Sequence, residues 1–372
     1  MSDSGATRSH FREALRDLVP YEPGRPIEDV QRELGLSRVI KLASNEGCFP
    51  PTAAALRALE RGATDLNRYP DSGAHRLCEA LAERHGVGIE QVAVGAGADA
   101  FIMYISLALV DPGDEVVCGW PSFPSYVLDA KKLGGIARTV ALRDERYDLP
   151  ALLAAVNERT RIVYLCNPNN PTGTMVSRAE VEDYFRHVPQ HVLTVLDEAY
   201  FEYVQEDDYP DGIAESVLAG RRVLVLRTFS KIYGLAGLRV GYGVGPADVI
   251  AAIHKVQNAF DVAQPAQDAA LVSLDDVDEI ERRRAITAEG RAVLHDLLVE
   301  HGFRVAPPVA NFVYADVGDD AGVLGDRLLR GGVIVRPLAP FGAPNALRIT
   351  VGTPEELAFL RGALTRCIGP DR

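Results

Sequence analysis

The sequence predicts an α/β protein with a large domain, whose mostly parallel sheet is covered by helices on both faces, and a smaller α+β domain. Its length of 372 residues suits a large domain with a smaller companion. Between residues 91 and 245, short β-branched apolar runs alternate with turn formers and helix-period stretches, a rhythm typical of βαβ units. Several runs are apolar nearly throughout, which favours strands buried on both faces.

The predicted elements follow this rhythm along the chain. The strands of the large sheet are Gln91–Gly95, Glu115–Gly119, Ala137–Leu142, Arg161–Cys166, Leu193–Glu198, Val223–Phe229 and Arg239–Val244. A long charged helix, Asp276–His301, precedes short strands at Phe312–Asp316, Val333–Pro337 and Leu347–Val351 and a last helix from Pro354. We therefore divide the chain into an N-terminal arm with part of the small domain (1–41), a large domain carrying the candidate site (42–262) and a small C-terminal domain (263–372).

Composition and charge argue against several classes of protein. With 52 acidic and 39 basic residues the formal charge is −13, so a nucleic-acid backbone would meet a repelling field. Five scattered cysteines without a C-x-x-C pair indicate a reducing compartment and no metal site. The first 20 residues mix acids and bases, and no run of about 18 apolar residues occurs. We expect a cytoplasmic protein without signal peptide, membrane span or nucleic-acid partner.

The most informative side chains follow one apolar strand. Thr228, Ser230 and Lys231 end it, and Arg239 comes after a glycine-containing loop. A lysine amine forms imines with aldehydes, whereas hydroxyls and an arginine suit a phosphate monoester. Together they predict a ligand that carries both an aldehyde and a phosphate. The alternative for this stretch alone is a solvated strand end.

Two further polar sets follow predicted parallel strands. Asp197 and Tyr200 lie at the end of Leu193–Glu198, and Asn170 lies in the turn-rich loop after Arg161–Cys166. Open parallel sheets bind ligands beyond the carboxyl ends of their strands, so these side chains should converge. A carboxylate can keep a pyridine ring protonated, and Tyr200 and Asn170 can hydrogen-bond a ring oxygen. Taken singly, they could be a helix cap, a core tyrosine and a turn residue.

A fourth set is the glycine-rich turn before the predicted helix Ala100–Val110. Small residues at Gly97 and Ala98, followed by Asp99, let backbone N–H groups at a helix N-terminus approach a phosphate. Such a turn could also indicate a nicotinamide site. It lacks the third glycine of the dinucleotide pattern and a suitably placed acid about 20 residues further on, so we discount that alternative.

Together the four sets resemble those of fold-type I pyridoxal-phosphate aminotransferases, and within them the histidinol-phosphate aminotransferase family and its aromatic aminotransferase relatives. The resemblance covers nearly the whole chain, from Tyr21–Gly24 through Leu42–Glu46 and Leu66–Pro70 to Leu347–Gly352. It implies pyridoxal 5'-phosphate as cofactor and a homodimer with shared active sites. It also implies that 42–262 is the cofactor-binding domain.

The resemblance also implies a role for each candidate residue. Lys231, Asp197 and Tyr200 would be catalytic, Lys231 binding the cofactor covalently and moving protons. The full set of candidate cofactor-binding residues is Tyr69, Gly97, Ala98, Asp99, Phe123, Asn170, Asp197, Tyr200, Thr228, Ser230, Lys231 and Arg239. The candidate substrate-binding residues are Tyr21, Asn45, Asn311, Arg336 and Arg348.

Four of these residues have specific implied contacts. Phe123 would stack on the pyridine ring. Arg348 would hold the α-carboxylate of the amino donor by a two-pronged contact. Tyr69 and Tyr21 would reach the neighbouring subunit's site, at its cofactor phosphate and its substrate respectively.

The predicted reaction interconverts L-histidinol phosphate and 2-oxoglutarate with imidazole acetol phosphate and L-glutamate. Arg336 would help to bind the substrate phosphate, but aromatic relatives can share an arginine there. An aromatic amino acid (phenylalanine) or specialised-metabolism aminotransferase therefore remains the alternative. The sequence also departs from the family pattern in the lining of the pocket, at Gly47, Cys48, Ala96, Ala100 and Ile232.

The sequence disfavours two alternatives from other functional classes. A decarboxylase of the same fold is disfavoured by Arg348, which would hold the carboxylate rather than let it leave. A non-catalytic cofactor-binding regulator would be expected to carry a DNA-binding region, which this sequence lacks.

Overall fold

The computed structural model describes residues 10–16, 18–20 and 24–368, so the predicted substrate residue Tyr21 lies outside the described residues. The helices are α1 (Ile27–Leu34), α2 (Ala53–Gly62), α3 (His75–His85), α4 (Ala98–Leu109), α5 (Ser125–Lys132), α6 (Leu149–Ala154), α7 (Arg178–His187), α8 (Ala247–Val256), α9 (Gln264–Ser273), α10 (Val277–Glu300), α11 (Ala321–Arg330) and α12 (Pro354–Ile368). Within these ranges no helix combines the length and the apolar content needed to cross a membrane.

The strands form three sheets. They are β1 (Ile40–Lys41), β2 (Val92–Gly95), β3 (Glu115–Trp120), β4 (Ile136–Ala141), β5 (Thr160–Cys166), β6 (Leu193–Asp197), β7 (Val223–Thr228), β8 (Gly241–Val244), β9 (Arg304–Val305), β10 (Phe312–Asp316), β11 (Val333–Ile334), β12 (Arg336–Pro337) and β13 (Ala346–Thr350). The seven-stranded sheet has the order β2-β8-β7-β6-β5-β3-β4.

The large sheet is mostly parallel, which confirms the predicted fold class. Strands β4, β3, β5, β6 and β7 pair in parallel, whereas β8 runs antiparallel to both of its neighbours, β7 and β2. The last strand was expected to begin at Arg239, but it begins at Gly241. Arg239 has a φ of 51°, and this left-handed conformation cannot continue an extended strand.

The central strands are buried on both faces. Every residue of β6 and β7 is buried, and so is every residue of β5 except Arg161. Helices pack around this sheet, with α4 against β7 and β8, and α4 also touches α5 and α8. Because alternate side chains of a strand point to opposite faces, continuous burial requires cover on both sides.

The C-terminal part has its own sheet, with the order β12-β13-β10-β9 and antiparallel pairing throughout. The predicted strand Val333–Pro337 is divided in two. Its first half pairs in parallel with β1, where Ile40 lies opposite Val333, and its second half pairs with β13. The chain before residue 42 therefore joins the C-terminal part through backbone hydrogen bonds.

The change from one hydrophobic core to the other lies within α10, and the predicted domain boundary after residue 262 stays a prediction. Helix α9 packs on α2 and α3, and its buried alanines (Ala266, Ala269 and Ala270) belong to the core of the large sheet. Near the start of α10, Ile280 belongs to the same core, whereas Leu294 and Leu298 belong to the core of the small sheet. The sequence suggested the earlier boundary because α9 lies beyond the last strand of the large sheet.

The topology brings several loops to one edge of the large sheet. In β5 and β6 the terminal residues Cys166 and Asp197 lie side by side. Because β8 is antiparallel, its first residue, Gly241, lies beside Thr228 at the end of β7 and Gly95 at the end of β2. The loops that follow β2, β5, β6 and β7 therefore start from the same edge.

Candidate active site

A cavity of about 310 Å³ opens at this edge of the sheet. It brings together most of the candidate residues of the sequence, from both the large and the small sheet. The lining residues are Ser44, Asn45, Ala98, Asp99, Phe123, Cys166, Asn170, Asp197, Ala199, Tyr200, Thr228, Ser230, Lys231, Arg239 and Arg348. Among them Ser44, Cys166 and Ala199 were given no role from the sequence, because no chemistry of theirs distinguishes them from ordinary loop or core residues.

Lys231 lies in the turn after β7. Its Nζ donates to the carbonyl of Ser44 at 3.5 Å and lies 5.6 Å from the centre of the Tyr200 ring. Burial and the positive charge of Arg348 lower the pKa of Lys231 to about 8, against the opposing effect of the carboxylates of Glu46 and Asp197. A large fraction of this amine is therefore neutral at mildly alkaline pH, and the neutral amine is the form that attacks an aldehyde.

Asp197 ends β6 and is buried. Its Oδ2 accepts a hydrogen bond from the hydroxyl of Tyr126 at 2.6 Å, and its Oδ1 accepts from the backbone N–H of Ala199 at 3.1 Å. Burial raises the pKa of Asp197, and the two hydrogen bonds together with the charge of Lys231 oppose the shift. The carboxylate is thus held in one orientation. Sequence reasoning missed Tyr126, whose only local signal is its position three residues after Phe123.

Thr228, Ser230 and Arg239 form a polar cradle at the end of β7. The hydroxyl of Thr228 donates to Ser230 Oγ at 3.0 Å, and Arg239 Nη1 donates to the same oxygen at 3.2 Å. Helix α4 begins nearby at Ala98, and the first N–H groups of a helix have no partner within the helix. Two hydroxyls, a guanidinium and a helix N-terminus are a donor set that fits a phosphate monoester.

Two glycines keep this cradle open. Gly97 has a φ of 89°, and a Cβ there would collide with the guanidinium of Arg239. A Cβ on Gly241 would lie 2.5 Å from the backbone nitrogen of Ala98. Side chains at either position would displace the groups that could hold a phosphate, so the residues present fit a phosphorylated cofactor.

The turn at residues 95–97 is fastened by Asp261, which the sequence did not mark as part of the site. Its Oδ2 accepts from the backbone N–H of Ala96 at 2.9 Å, the hydroxyl of Tyr104 at 2.6 Å and Gln257 Nε2 at 3.3 Å. The bond between Asp261 and Ala96 joins residues 165 positions apart, and no local pattern predicts such a contact.

The small sheet contributes the other wall of the cavity. Arg348, on β13, donates from Nη1 to Oδ1 of Asn170 in the loop after β5. Asn45 Nδ2 donates to the hydroxyl of Tyr200 at 3.0 Å, and Asn311 Nδ2 donates to the carbonyl of Asn45 at 3.1 Å. These hydrogen bonds connect residues of the two sheets around one cavity.

The two remaining cofactor candidates on the helix α4 side also line the cavity. Asp99 accepts a hydrogen bond from the hydroxyl of Ser125 at 2.7 Å. Phe123 meets the ring of Tyr126 edge-on, with the ring centres 5.8 Å apart. Phe123 is therefore placed at the cavity wall as well as against the core.

Besides Gly97 and Asn311, which lie next to lining residues, the described candidates Tyr69 and Arg336 are outside the cavity lining. Tyr69 is 81% exposed, and its ring stacks on that of Phe260 with the centres 4.5 Å apart. Arg336 is buried on β12, directly opposite Arg348 in the strand register, with its guanidinium 5.4 Å from the centre of the Phe341 ring.

Two of the departures from the family pattern have a packing consequence. A Cβ on Gly47 would lie 2.6 Å from the carbonyl oxygen of Lys231, so the absence of a side chain lets residues 44–48 approach the Lys231 turn closely. Ile232 is buried, and its carbonyl accepts from Arg283 Nη1 at 2.9 Å. Both contacts involve the backbone carbonyls of the turn that carries the Lys231 side chain.

Comparison with known proteins agrees with this geometry and confirms the predicted family. Residues 37–364 match the family of class I and II aminotransferases. The chain is 43% identical over 348 residues to histidinol-phosphate aminotransferase 2 of Carboxydothermus hydrogenoformans, across 93% of this chain and 96% of the relative. It is 44% identical over 349 residues to histidinol-phosphate aminotransferase of Moorella thermoacetica, across 94% and 90% of the two chains.

A solved structure supports the same assignment. Histidinol-phosphate aminotransferase from Sinorhizobium meliloti, in complex with pyridoxal-5'-phosphate, superimposes with a TM-score of 0.88 at 31% identity and covers 98% of each chain. The chain therefore belongs to the class I and II aminotransferases and, within them, to the histidinol-phosphate aminotransferase family of pyridoxal-phosphate-dependent enzymes.

Proposed function

We propose that this enzyme interconverts L-histidinol phosphate and 2-oxoglutarate with imidazole acetol phosphate and L-glutamate. The observation that carries the proposal is the pairing of two buried arginines, Arg336 and Arg348, directly opposite each other on β12 and β13. Like charges in this arrangement repel each other, and a bound anion offsets the repulsion. The phosphate of histidinol phosphate supplies such an anion to both arginines, and the α-carboxylate of glutamate supplies one at Arg348. The activity named for the two relatives supports the same choice.

We assign proton transfer to Lys231. When bound, pyridoxal phosphate supplies an aldehyde that captures the substrate amine and a protonated ring that accepts the charge developing at the substrate Cα. When the substrate amine takes its place on the cofactor, the freed Lys231 amine would move a proton between the substrate Cα and the cofactor's C4′ carbon. A pKa of about 8 places this amine near the optimum for both accepting and returning a proton at physiological pH.

The other candidate residues position the cofactor in this assignment. Asp197 pairs with the ring nitrogen, Asn170 and Tyr200 donate to the ring oxygen, and Phe123 covers one face of the ring. The phosphate is held by the cradle and by the turn before α4, that is by Gly97, Ala98, Asp99, Thr228, Ser230 and Arg239. The support for these roles is that all of them except Gly97 line one cavity and that Gly97 leaves room for Arg239.

The substrate anion binds on the small-sheet side in this assignment. Arg348 holds the α-carboxylate of glutamate, and Arg336 contributes to binding the phosphate of histidinol phosphate. Asn45 and Asn311 support this wall through two hydrogen bonds. Asn311 donates to the backbone carbonyl of Asn45, and the side chain of Asn45 donates to the hydroxyl of Tyr200.

Changing Arg336 tests the substrate assignment. In Arg336→Gln the binding of histidinol phosphate should weaken roughly 10- to 100-fold, the range expected for the loss of a charged hydrogen-bond partner. The half-reaction with glutamate should change much less. The measurement follows the absorbance of the lysine-bound cofactor while histidinol phosphate, glutamate or phenylalanine is added singly.

Arg336→Lys, which keeps the charge, serves as the control and should retain part of the affinity for histidinol phosphate. If the wild-type protein reacts with phenylalanine and glutamate and not with histidinol phosphate, the proposed substrate is wrong.

The lowered pKa of Lys231 predicts how the cofactor-free protein captures pyridoxal phosphate. Because a lowered pKa leaves the amine neutral at a lower pH, the rate of covalent capture should rise with pH and level off above about pH 8. Stopped-flow absorbance between pH 6.5 and 10 would measure it, with N-acetyl-lysine amide as the matched control. A rate that climbs without inflection up to pH 10, as for an ordinary lysine, would contradict the buried environment of Lys231.

We further propose that the active unit is a homodimer. Three large side chains are exposed: Leu66 (67%), Tyr69 (81%) and Phe260 (44%). Leu66 lies three positions before Tyr69 in the sequence, and Phe260 contacts Tyr69 in space. Tyr69 and Phe260 stack on each other, so they form one apolar patch. In a dimer this patch is covered, and Tyr69 reaches the cofactor phosphate of the neighbouring subunit.

A charged residue in the patch tests the dimer. Phe260→Asp should shift sedimentation velocity from a dimer toward a monomer of 40.3 kDa, because it places a charge in the interface. Asp tolerates the positive φ of 59° at this position better than most residues, so the backbone is preserved. Leu218→Asp, at a residue 54% exposed elsewhere, should leave the dimer intact. A wild-type protein that sediments as a monomer would refute the proposal.

The cysteines support a cytoplasmic location for the reaction. All five lie within the described ranges, and none forms a disulfide there. Unpaired cysteines suit a reducing compartment.

A further inference from the structure

The hydroxyl of Tyr126 contacts Asp197, the residue that we pair with the cofactor ring, from the protein interior and not from the cavity. Tyr126 lies on α5, is fully buried and is absent from the cavity lining. It donates to Asp197 Oδ2 at 2.6 Å. Its ring also meets Phe123 edge-on, so it touches two residues that we place around the cofactor ring.

The position of this hydroxyl is fixed by packing. The ring of Tyr126 stacks on that of Tyr164, with centres 4.4 Å apart and planes 10° apart. Tyr164 is itself fully buried, and its hydroxyl lies 3.3 Å from Ser106 Oγ. A fully buried side chain that is packed against two aromatic rings loses little further entropy when it donates a hydrogen bond, so the donor is already in place before any ligand arrives.

The hydrogen bond opposes the cost of burying the Asp197 charge. Burial favours the neutral acid, and the hydroxyl of Tyr126 is the strongest of the influences that favour the carboxylate. The backbone N–H of Ala199 donates to the other oxygen. Together they fix the rotation of the carboxylate and leave lone pairs on both oxygens for a further partner.

We propose that Tyr126 is a positioning residue for amino transfer, which keeps Asp197 ionised and aimed at the ring nitrogen of the cofactor. The inference rests on the proposed pairing of Asp197 with that nitrogen. A carboxylate that already accepts a hydroxyl is a weaker base, so the shared proton stays on the ring. Without the hydroxyl the proton moves toward Asp197, and the ring becomes a poorer acceptor of negative charge.

Tyr126→Phe tests the inference, with Tyr164→Phe as its matched control. Both variants remove one buried tyrosine hydroxyl from the same stacked pair, but only the first removes a donor to Asp197. The readout is the ¹⁵N chemical shift of the ring nitrogen in enzyme loaded with ¹⁵N-labelled pyridoxal phosphate, which reports ring protonation. Tyr126→Phe should move this shift toward that of a neutral pyridine and weaken cofactor binding roughly tenfold, in line with a lost bond to a charged group. Tyr164→Phe should change neither.

A double-mutant cycle with Asp197→Asn separates the inference from the assignment beneath it. Asp197→Asn should itself neutralise the ring, and Tyr126→Phe should then add no further change of the shift. If Asp197→Asn leaves the shift unchanged, the pairing of Asp197 with the ring fails, and the role of Tyr126 fails with it. If Asp197→Asn moves the shift and Tyr126→Phe does not, the role of Tyr126 alone is overturned.

A second substitution covers the case in which Tyr126→Phe does not fold. Site-specific 4-aminophenylalanine at position 126 keeps the ring and a donor group but makes that group a weaker acid and donor. It should therefore move the ring shift part of the way toward that of a neutral pyridine, and an unchanged shift would contradict the proposal.

Discussion

Burial of the central parallel strands on both faces is the constraint on which the site depends. Strands β6 and β7 offer no solvent-facing side chain, so polar chemistry can enter only where the strands end. The parallel pairing then places the ends of β5 and β6 side by side, and the reversed strand β8 brings Gly241 beside the end of β7. A catalytic site assembled from distant parts of the sequence follows from this geometry.

The site concentrates charge in a small buried volume. Arg348 is cationic and Asp197 anionic, both are buried, and the amine of Lys231 lies half-buried between them in the cavity. Burial of charge is unfavourable unless partners compensate it. Hydrogen bonds from Tyr126 and Ala199 offset the cost of burying the Asp197 carboxylate. For Lys231 the pKa is lowered instead, so that more of the amine is neutral. Burial thus has two effects. It increases the neutral, nucleophilic fraction of the Lys231 amine, and it makes hydrogen bonds necessary to stabilise the Asp197 carboxylate.

The sequence predicted the parts of the site that have a local signature. Lys231, Asp197 and Asn170 each follow an apolar strand, and the rule for parallel strand ends was enough to bring them together. The strand direction of β8 and the left-handed backbone of Arg239 were not predictable, because both depend on neighbours across the sheet.

Most features of the site that could not be predicted from the sequence are contacts between residues far apart in the chain. Tyr126 meets Asp197 across 71 positions, and Asp261 meets Ala96 across 165. Helix α9 belongs to the core of the large sheet because it packs on α2. The hydrophobic periodicity of α9 could not predict this, because periodicity shows that one face of a helix is buried but not which element covers that face. Family resemblance supplied roles for Arg348 and Tyr69, which composition and spacing alone would have left as surface residues.

Chemical trapping shows whether Lys231 is the residue that holds the cofactor. Borohydride reduction of the loaded enzyme, followed by proteolysis and mass spectrometry, should find the reduced cofactor on the peptide that contains Lys231. In Lys231→Ala the label should vanish from that region. Label on another lysine, such as Lys41, or an unchanged yield in Lys231→Ala would contradict the account.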